Sequence, residues 1–561
     1  MILTGGQALV RQLVQEGITD VFGIPGVQLD WAVDALRQAR DQINWIVPRH
    51  EQATSYMADG YARTTDRVGT CMVVPGPGLL NAMAGLSTAY ACNARVLAII
   101  GNIHSQGIGR GYGLLHEVNN QSALLGAVTK WHGVAKTPQE IPGVVREAMR
   151  RLDAGRPRPV GIEIAHDVLQ AKSEVTLAGV TSKQDGRIRP DPRSVTEAAS
   201  LLAAARFPVI FVGGGIPAAS ASLALRQLAE ALQAPVVMSD NGRGSLSDRH
   251  PLAFNTLGGR ALMPHADVVL VAGSRFFDSM ETRTAWPMGG KRWIFLNADA
   301  SDWSEPRRAT VALHSDARLG LEALTSEISI RKPSRTADFD KVRDWVRQQA
   351  DAVEPQTAYT RALRDTIPGN GILVTDLTQV GYHARMTYPV WEPGTLLTPG
   401  YQGTLGYGFA AGLGVACGNP GRAVVTIIGD GGFGWNLQEL ATARKYDLGL
   451  VTVVFNDGYF GNVRTLQKNK FGEAFGVDLL NPKFDKLAEA YDIPFARVES
   501  PDGLHGALKH ALAAGGPALI EVRVGEMPNP WHLVRLQVMP GLAYQAPPNP
   551  LGEPIEPRVN G

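Results

Sequence analysis

RAVVTIIGDGGFGWNLQELATARKYDLGLVTVVFNDGYFGNVR, residues 422–464, decides the fold. A β-branched run ends at Gly429, a glycine-rich turn follows, residues near 436–446 have helical spacing, and a second β-rich run ends at Asn456. A strand–helix–strand unit closes with a right-handed crossover, so its two strands lie parallel. Asp430 and Asn456, 26 positions apart, therefore leave the sheet at the same carboxyl edge, where open α/β sheets bind ligands. A carboxylate, an amide oxygen and a nearby backbone carbonyl, assigned here to Gly458, make an all-oxygen set. Such sets hold Mg²⁺ while phosphates and water complete its octahedron. Gly431 and Gly432 let backbone N–H groups approach a diphosphate at the helix start. Gly-Asp-Gly alone is a tight turn; the second ligand on the next parallel strand turns it into a diphosphate and metal clamp.

Outward from this unit, GILVTDL and PALIEVRV supply further strands of the same domain, placed at 355–530. Upstream, PVIFVGGGI, APVVMSD, ADVVLVAGS and RWIFLNAD repeat the pattern in a central domain at 190–325. DVFGI, NWIVPRH, GTCMVV and RVLAIIG do so in a first domain at 1–170. The predicted fold class is α/β, with three doubly wound parallel-sheet domains. The polar stretch 182–194 and the charged segment 331–355, which carries one exposed helix, read as linkers. The proline-rich tail, 531–561, is expected to wrap over a neighbouring surface or lie loose. The first and third domains share a faint pattern suggestive of duplication, GPGLLNAMAGLSTAYACNARVLAIIGN against PGYQGTLGYGFAAGLGVACGNPGRAVVTIIGD.

At 561 residues, with 44% hydrophobic and 19% charged residues, the chain can bury several cores. A net charge of +1 without dense Lys or Arg runs gives no argument for nucleic acid or an anionic membrane surface as a partner. A small molecule is the expected ligand. Cys71, Cys92 and Cys417, far apart in apolar surroundings, exclude a disulfide framework and a cysteine metal site, and read as buried, inert thiols. The N-terminus has no signal-peptide pattern and no apolar run reaches membrane-spanning length, so the expected compartment is the cytoplasm.

Gly-Asp-Gly followed by Asn some two dozen residues on resembles the thiamine-diphosphate fingerprint, with Asp457 where the fingerprint usually has a second Asn. DVFGIPG, PRHEQATSYMADGYAR and VVPGPGLLNAMAGLSTAY are similar to the pyrimidine-binding domain of the acetohydroxyacid synthase, pyruvate oxidase and benzaldehyde lyase superfamily, and the domain order matches too. The resemblance implies thiamine diphosphate and Mg²⁺ as cofactors. It implies that Glu51 hydrogen-bonds the aminopyrimidine ring and promotes the tautomer that activates the cofactor; a carboxyl suits this because it can share a proton with a ring nitrogen. By the same likeness Gly403 offers its carbonyl to the aminopyrimidine, Leu405 wedges beneath the cofactor, and Gln379 reaches the diphosphate. Gly429, Asp430, Gly431, Gly432, Asn456, Gly458 and Phe460 complete the cofactor-binding set, with Asp430, Asn456 and Gly458 on the metal. Leu405 also reads as a plain core residue. His116, where many relatives carry Gln, is a catalytic candidate able to move protons, and equally a structural histidine on a turn.

Acetohydroxyacid synthases carry Gly-Met-Val followed by Trp-Gln after the metal-ligand Asn; this chain has Asn462 for the Met and Leu466 for the Trp. VGGGIP in the central domain is not a GxGxxG fingerprint, and Ser279 stands where those enzymes have Arg. FAD is permitted there by the family and supported by no motif. The resemblance implies a 2-oxo acid decarboxylase or carboligase, acetolactate-synthase-like, with its active site at the interface of a homodimer or homotetramer. A 2-hydroxy ketone lyase, a flavin-dependent oxidase and an inactive cofactor-binding subunit are the alternatives.

Overall fold

A computed structural model describes residues 1–180, 186–279, 282–534 and 547–554. Among them stand three six-stranded sheets, parallel throughout and flanked by helices. In space the first sheet runs Asn44–Ile46, Asp20–Gly23, Gly69–Val73, Val96–Asn102, Val160–Ala165, Trp131–Ala135. The third runs Leu396–Leu397, Ile372–Thr375, Val424–Gly429, Leu450–Asn456, Ala518–Arg523, Phe495–Val498. Numbered in chain order within each sheet, both read 2-1-3-4-6-5. The central sheet reads 3-2-1-4-5-6, from Ala253–Asn255 through Val236–Met238, Pro208–Val212, Val268–Ala272 and Arg292–Asn297 to Val311–His314. The faint pattern shared by the first and third domains thus accompanies an identical strand order, which the central domain lacks.

The β-branched runs form strands because helices cover both sheet faces, and continuous apolar runs are what such strands bury. Val424, Val425, Ile427, Ile428, Val453 and Val454 are fully buried. One hydrophobic core joins the first and third domains: Tyr56, Met57 and Tyr61 of helix Glu51–Thr64 meet Tyr407, Phe409 and Leu413 of helix Tyr407–Gly418. Where the helices cross, Gly60 lies on the Ala411 carbonyl and Gly414 on the Met57 carbonyl. A Cβ at either position would come within 2.2 and 2.0 Å of those oxygens.

The expected helix near 436–446 is not continuous. A short helix Asp430–Phe433 and a 3₁₀ turn Leu437–Glu439 precede helix Leu440–Lys445. Glu439 is buried at the break because its carboxylate accepts hydrogen bonds from another domain, so tertiary demand overrides helical propensity. Cys417 is only partly buried, with Sγ turned to Asp20, whereas Cys71 and Cys92 are buried; burial pushes all three thiols up to about 12.

In the linker, helix Thr336–Asp351 exposes its polar side and buries Phe339 and Val342 on the central core. Residues 182–185 of the other linker lie outside the described residues. Of the tail, Trp531–Val534 is helical, and 547–554 lies on the central domain: Trp345 Nε1 donates to the Pro548 carbonyl and Asn549 Nδ2 to that of Ala261. Residues 535–546 and 555–561 are outside the described part. Among the described residues, no helix is long and apolar enough to cross a membrane.

Candidate active site

Val424–Gly429 and Leu450–Asn456 are hydrogen-bonded parallel neighbours, with Gly429 opposite Phe455. This register brings Asp430 and Asn456 side by side beyond the carboxyl edge. Asn481 Nδ2 donates to Asp430 Oδ2 at 2.5 Å and to Asn456 Oδ1 at 3.1 Å, so both oxygens are turned to one point, as the oxygen ligands of a small cation are. The Asn456 amide is held in that sense by Glu521, buried in the next strand, which accepts from Asn456 Nδ2 at 2.8 Å. Gly458 donates its N–H to Asp430 Oδ2 at 3.0 Å, while its carbonyl accepts from Leu479 N at 2.9 Å and keeps a second lone pair. Burial raises the Asp430 carboxyl above the ordinary carboxylate range, against the Asn481, Gly431 and Gly458 hydrogen bonds that favour its charged form. Asp457 is pushed up to about 6, first by burial and then by the neighbouring Asp430 carboxylate.

The pocket above this pair is lined by Gln379, Gly403, Leu405, Gly429, Asp430, Gly431, Gly432 and Phe460, together with Leu377, Tyr382, Asn462 and Met527. Asn456 and Gly458 lie against its acidic end without lining it. Two features suit a hydrogen-bonding ligand. Gln379 Oε1 is buried with no hydrogen-bond partner, an expensive arrangement unless a ligand donor meets it. Gly431 packs so tightly on the Phe460 ring that a Cβ would sit 2.8 Å from it, so bare backbone forms the pocket floor. Gly403 has φ 57°, a left-handed turn that glycine adopts freely, ahead of helix Tyr407–Gly418.

The structure does not bring Glu51 or His116 to this pocket. Glu51 opens helix Glu51–Thr64, and its Oε2 accepts from Asn81 Nδ2 at 3.0 Å. His116 has φ 67°, an unusual backbone for a non-glycine residue. Its ring Nδ1 lies 3.1 Å from Gln28 Oε1, and its carbonyl abuts Gly76. Gly76 caps helix Pro77–Cys92, which also carries Asn81, so one helix ties the two residues together.

Several residues absent from the sequence reading hold the arrangement. Asp376, fully buried at the end of strand Ile372–Thr375, accepts from Leu377 N at 2.7 Å and Gly408 N at 3.0 Å, and burial pushes its carboxyl up to about 6. Glu439 accepts from the backbone N–H groups of Arg49 and His50 and so fixes the turn that presents Glu51. An acid inside a buried apolar pattern was the available signal for Glu439 and for Glu521 in PALIEVRV. Asn481 gives no such signal.

In the central domain, Gly213 N donates to Ala272 O at 3.1 Å and Gly215 N to Gly273 O at 2.9 Å. A Cβ on Gly215 would lie 2.6 Å from Gly273 Cα. These glycines permit two loops to touch, and Gly214, Gly215 and Gly273 line a pocket beside that contact.

Three parallel-sheet domains, with an acid and an amide oxygen converging beside a glycine floor, define a diphosphate-binding enzyme. Residues 3–124 match the N-terminal TPP binding domain of thiamine pyrophosphate enzymes, 195–324 the central domain and 376–522 the C-terminal TPP binding domain. The chain belongs to this family and is a thiamine-diphosphate-dependent enzyme of carbon–carbon bond chemistry. It is 35% identical over 534 residues to a probable 2-ketoarginine decarboxylase of Pseudomonas aeruginosa, covering 93% of this chain and 94% of the relative. It is 30% identical over 537 residues to the large subunit of acetolactate synthase isozyme 3 of Escherichia coli, covering 91% and 92%. A probable acetolactate synthase large subunit of Methanocaldococcus jannaschii is 29% identical over 546 residues, covering 93% and 92%.

Proposed function

We propose that this chain is a Mg²⁺-dependent decarboxylase or carboligase of 2-oxo acids. The observation that carries the metal is the pair of oxygens, Asp430 Oδ2 and Asn456 Oδ1, near enough to touch one atom. Asp430, Asn456 and the Gly458 carbonyl would hold Mg²⁺, and the floor at Gly429, Gly431 and Gly432 would receive the diphosphate with Gln379. Gly403 would offer its carbonyl to the aminopyrimidine, Leu405 would wedge beneath the cofactor and hold its bend, and Phe460 would pack against it. Bound thiamine diphosphate supplies a nucleophilic carbon for the substrate carbonyl and takes up the electrons of the bond that breaks. Glu51 exchanges a proton with the pyrimidine ring nitrogen, and His116 delivers or removes one at the substrate oxygen. The names of the relatives, a decarboxylase and acetolactate synthases, favour 2-oxo acids as substrates.

The site would be completed by a second copy of the chain, in a homodimer or homotetramer. Glu51 and His116 stand apart from the pocket carried by their own chain. Large apolar side chains are exposed on both halves: Val27, Leu80 and Leu115 beside Gln28, Asn81 and His116 in the chain, and Val463 at the pocket with Phe471, Phe475 and Leu480 in the segment that follows it. Apolar surface of this kind marks an interface.

The test is thermal unfolding of the purified protein with thiamine diphosphate and MgCl₂, alone and together, followed by CO₂ release from a panel of 2-oxo acids. Stabilisation that needs both additives, CO₂ release and its loss in Glu51→Ala are expected. No stabilisation at saturating cofactor would end the proposal. Cleavage of 2-hydroxy ketones without CO₂ release from any acid would replace it with the lyase reading, and flavin bands in the visible spectrum would favour the oxidase.

A further inference from the structure

We propose that Asn462 is the residue that recognises the substrate's carboxylate, with its amide turned to the pocket by Trp531. This rests on the 2-oxo acid reading above. Among the described residues lining the pocket there is no Lys, Arg or His, and the charged ones, Asp430 and Asp457, are both acidic. A substrate carboxylate entering this half of the site must therefore be met by neutral donors, away from the acidic end.

Asn462 meets that requirement because of the group behind it. It stands in the first turn of helix Gly461–Phe471 and lines the pocket. Trp531 Nε1 donates to Asn462 Oδ1 at 2.7 Å. An indole nitrogen can only donate, so the oxygen of Asn462 must face Trp531 and the NH₂ must face the other way. No described group accepts from that NH₂, which leaves two donors at the pocket wall for a carboxylate oxygen.

Trp531 is itself held from three sides. Its ring packs on Tyr382, another pocket residue, with centroids 4.7 Å apart. Its backbone N–H donates to Asn529 Oδ1 at 2.8 Å. The following carbonyls of His532 and Leu533 accept from Arg260 of the central domain, and Leu533 is buried among Leu257, Val353 and Met386. The segment after the last strand of the third sheet thus serves as a fixed backstop for the specificity residue. Trp531 is a positioning residue, since it reaches the substrate only through Asn462.

The experiment compares matched donors with and without a carboxylate, benzoylformate against benzaldehyde and pyruvate against acetaldehyde, in wild type, Asn462→Asp and Trp531→Phe. Asn462→Asp keeps size and the indole bond and replaces the donors by an acceptor. It should raise KM for the acids about 10- to 100-fold, change KM for the aldehydes in carboligation less than about 3-fold, and leave the thermal shift given by thiamine diphosphate and Mg²⁺ intact. Trp531→Phe frees the amide to rotate and should move KM for the acids in the same direction by about 3- to 5-fold. Equal effects on acids and aldehydes, or none on either, in a wild type that releases CO₂ would overturn this assignment alone. A wild type that neither binds the cofactor nor releases CO₂ would overturn the functional reading and this inference with it.

Discussion

At the carboxyl edge of the third sheet, the turn after Gly429 keeps its glycines against side chains, the Phe460 ring and Leu479, and lines an open pocket. At the carboxyl edge of the central sheet, Gly213 and Gly215 lie against the backbone of Gly273 and its neighbours, with their N–H groups used up. Both turns are rich in glycine and both follow a buried β-branched strand. What differs is the atom each glycine approaches. Glycine facing a side chain leaves room to be reshaped around a ligand, whereas glycine facing backbone holds two loops together, here at the edge of a pocket that Gly214, Gly215 and Gly273 line. A glycine-rich turn at a sheet edge is therefore ambiguous until its N–H partners are known.

The contrast can be tested at descending scale. Asp430→Ala should weaken thiamine diphosphate and Mg²⁺ binding by about 100-fold or more, the loss expected when a metal ligand and not merely its support is removed. Gly215→Ala, titrated calorimetrically alongside it, should bind as wild type does; a comparable loss at both positions would erase the distinction between the turns. Gly215→Ala should instead cost about 3 kcal/mol of stability in denaturant unfolding, because the added methyl meets backbone that cannot move aside. A stability equal to wild type would show that the central turn yields as readily as the other.

Asp376, beneath the third-domain site, gives that edge a pH signature of its own. Burial raises its carboxyl from the ordinary 3.8 to about 6, so the folded protein holds this proton more tightly than the unfolded chain does. The stabilisation that results is fully present below about pH 4 and is lost as pH rises through about 6, an effect of about 2 to 3 kcal/mol at most. The melting temperature of wild type relative to Asp376→Asn should therefore rise as pH falls from 7 to 4 in cofactor-free buffer; a constant gap would remove Asp376 from that role. Smallest in stability, Gly431→Ala should cost about 1 kcal/mol, since the Phe460 ring can shift. Its cofactor affinity should nonetheless fall about 10-fold, and an unchanged affinity would mean the floor is not where the diphosphate lies.

Much of the fold was legible because buried parallel strands announce themselves. All twelve apolar runs singled out in the sequence contain strands of the three sheets. The strands missed were mainly edges, such as Trp131–Ala135, Leu396–Leu397 and Phe495–Val498, which are short or only half covered. Asp430 and Asn456 could be placed together because crossover handedness fixes which edge two strand ends share. Asn481, Glu439 and Trp531 could not, since each reaches the site or its supports from far along the chain or from another domain. The relation between Glu51 and the pocket was likewise beyond periodicity: both halves lie on one chain, yet not at one place.

The helix crossing at Gly60 and Gly414 bears on how this protein can change over generations. Backbone touches backbone there, so nearly every mutation at either glycine is closed off, and the angle between first and third domains is inherited as a fixed frame. Residues such as Asn462 and Val463, whose side chains border open space, carry no such restriction. Drift is steered to the rim of the cavity, where a single exchange can retune which molecule is accepted without disturbing the scaffold that presents it.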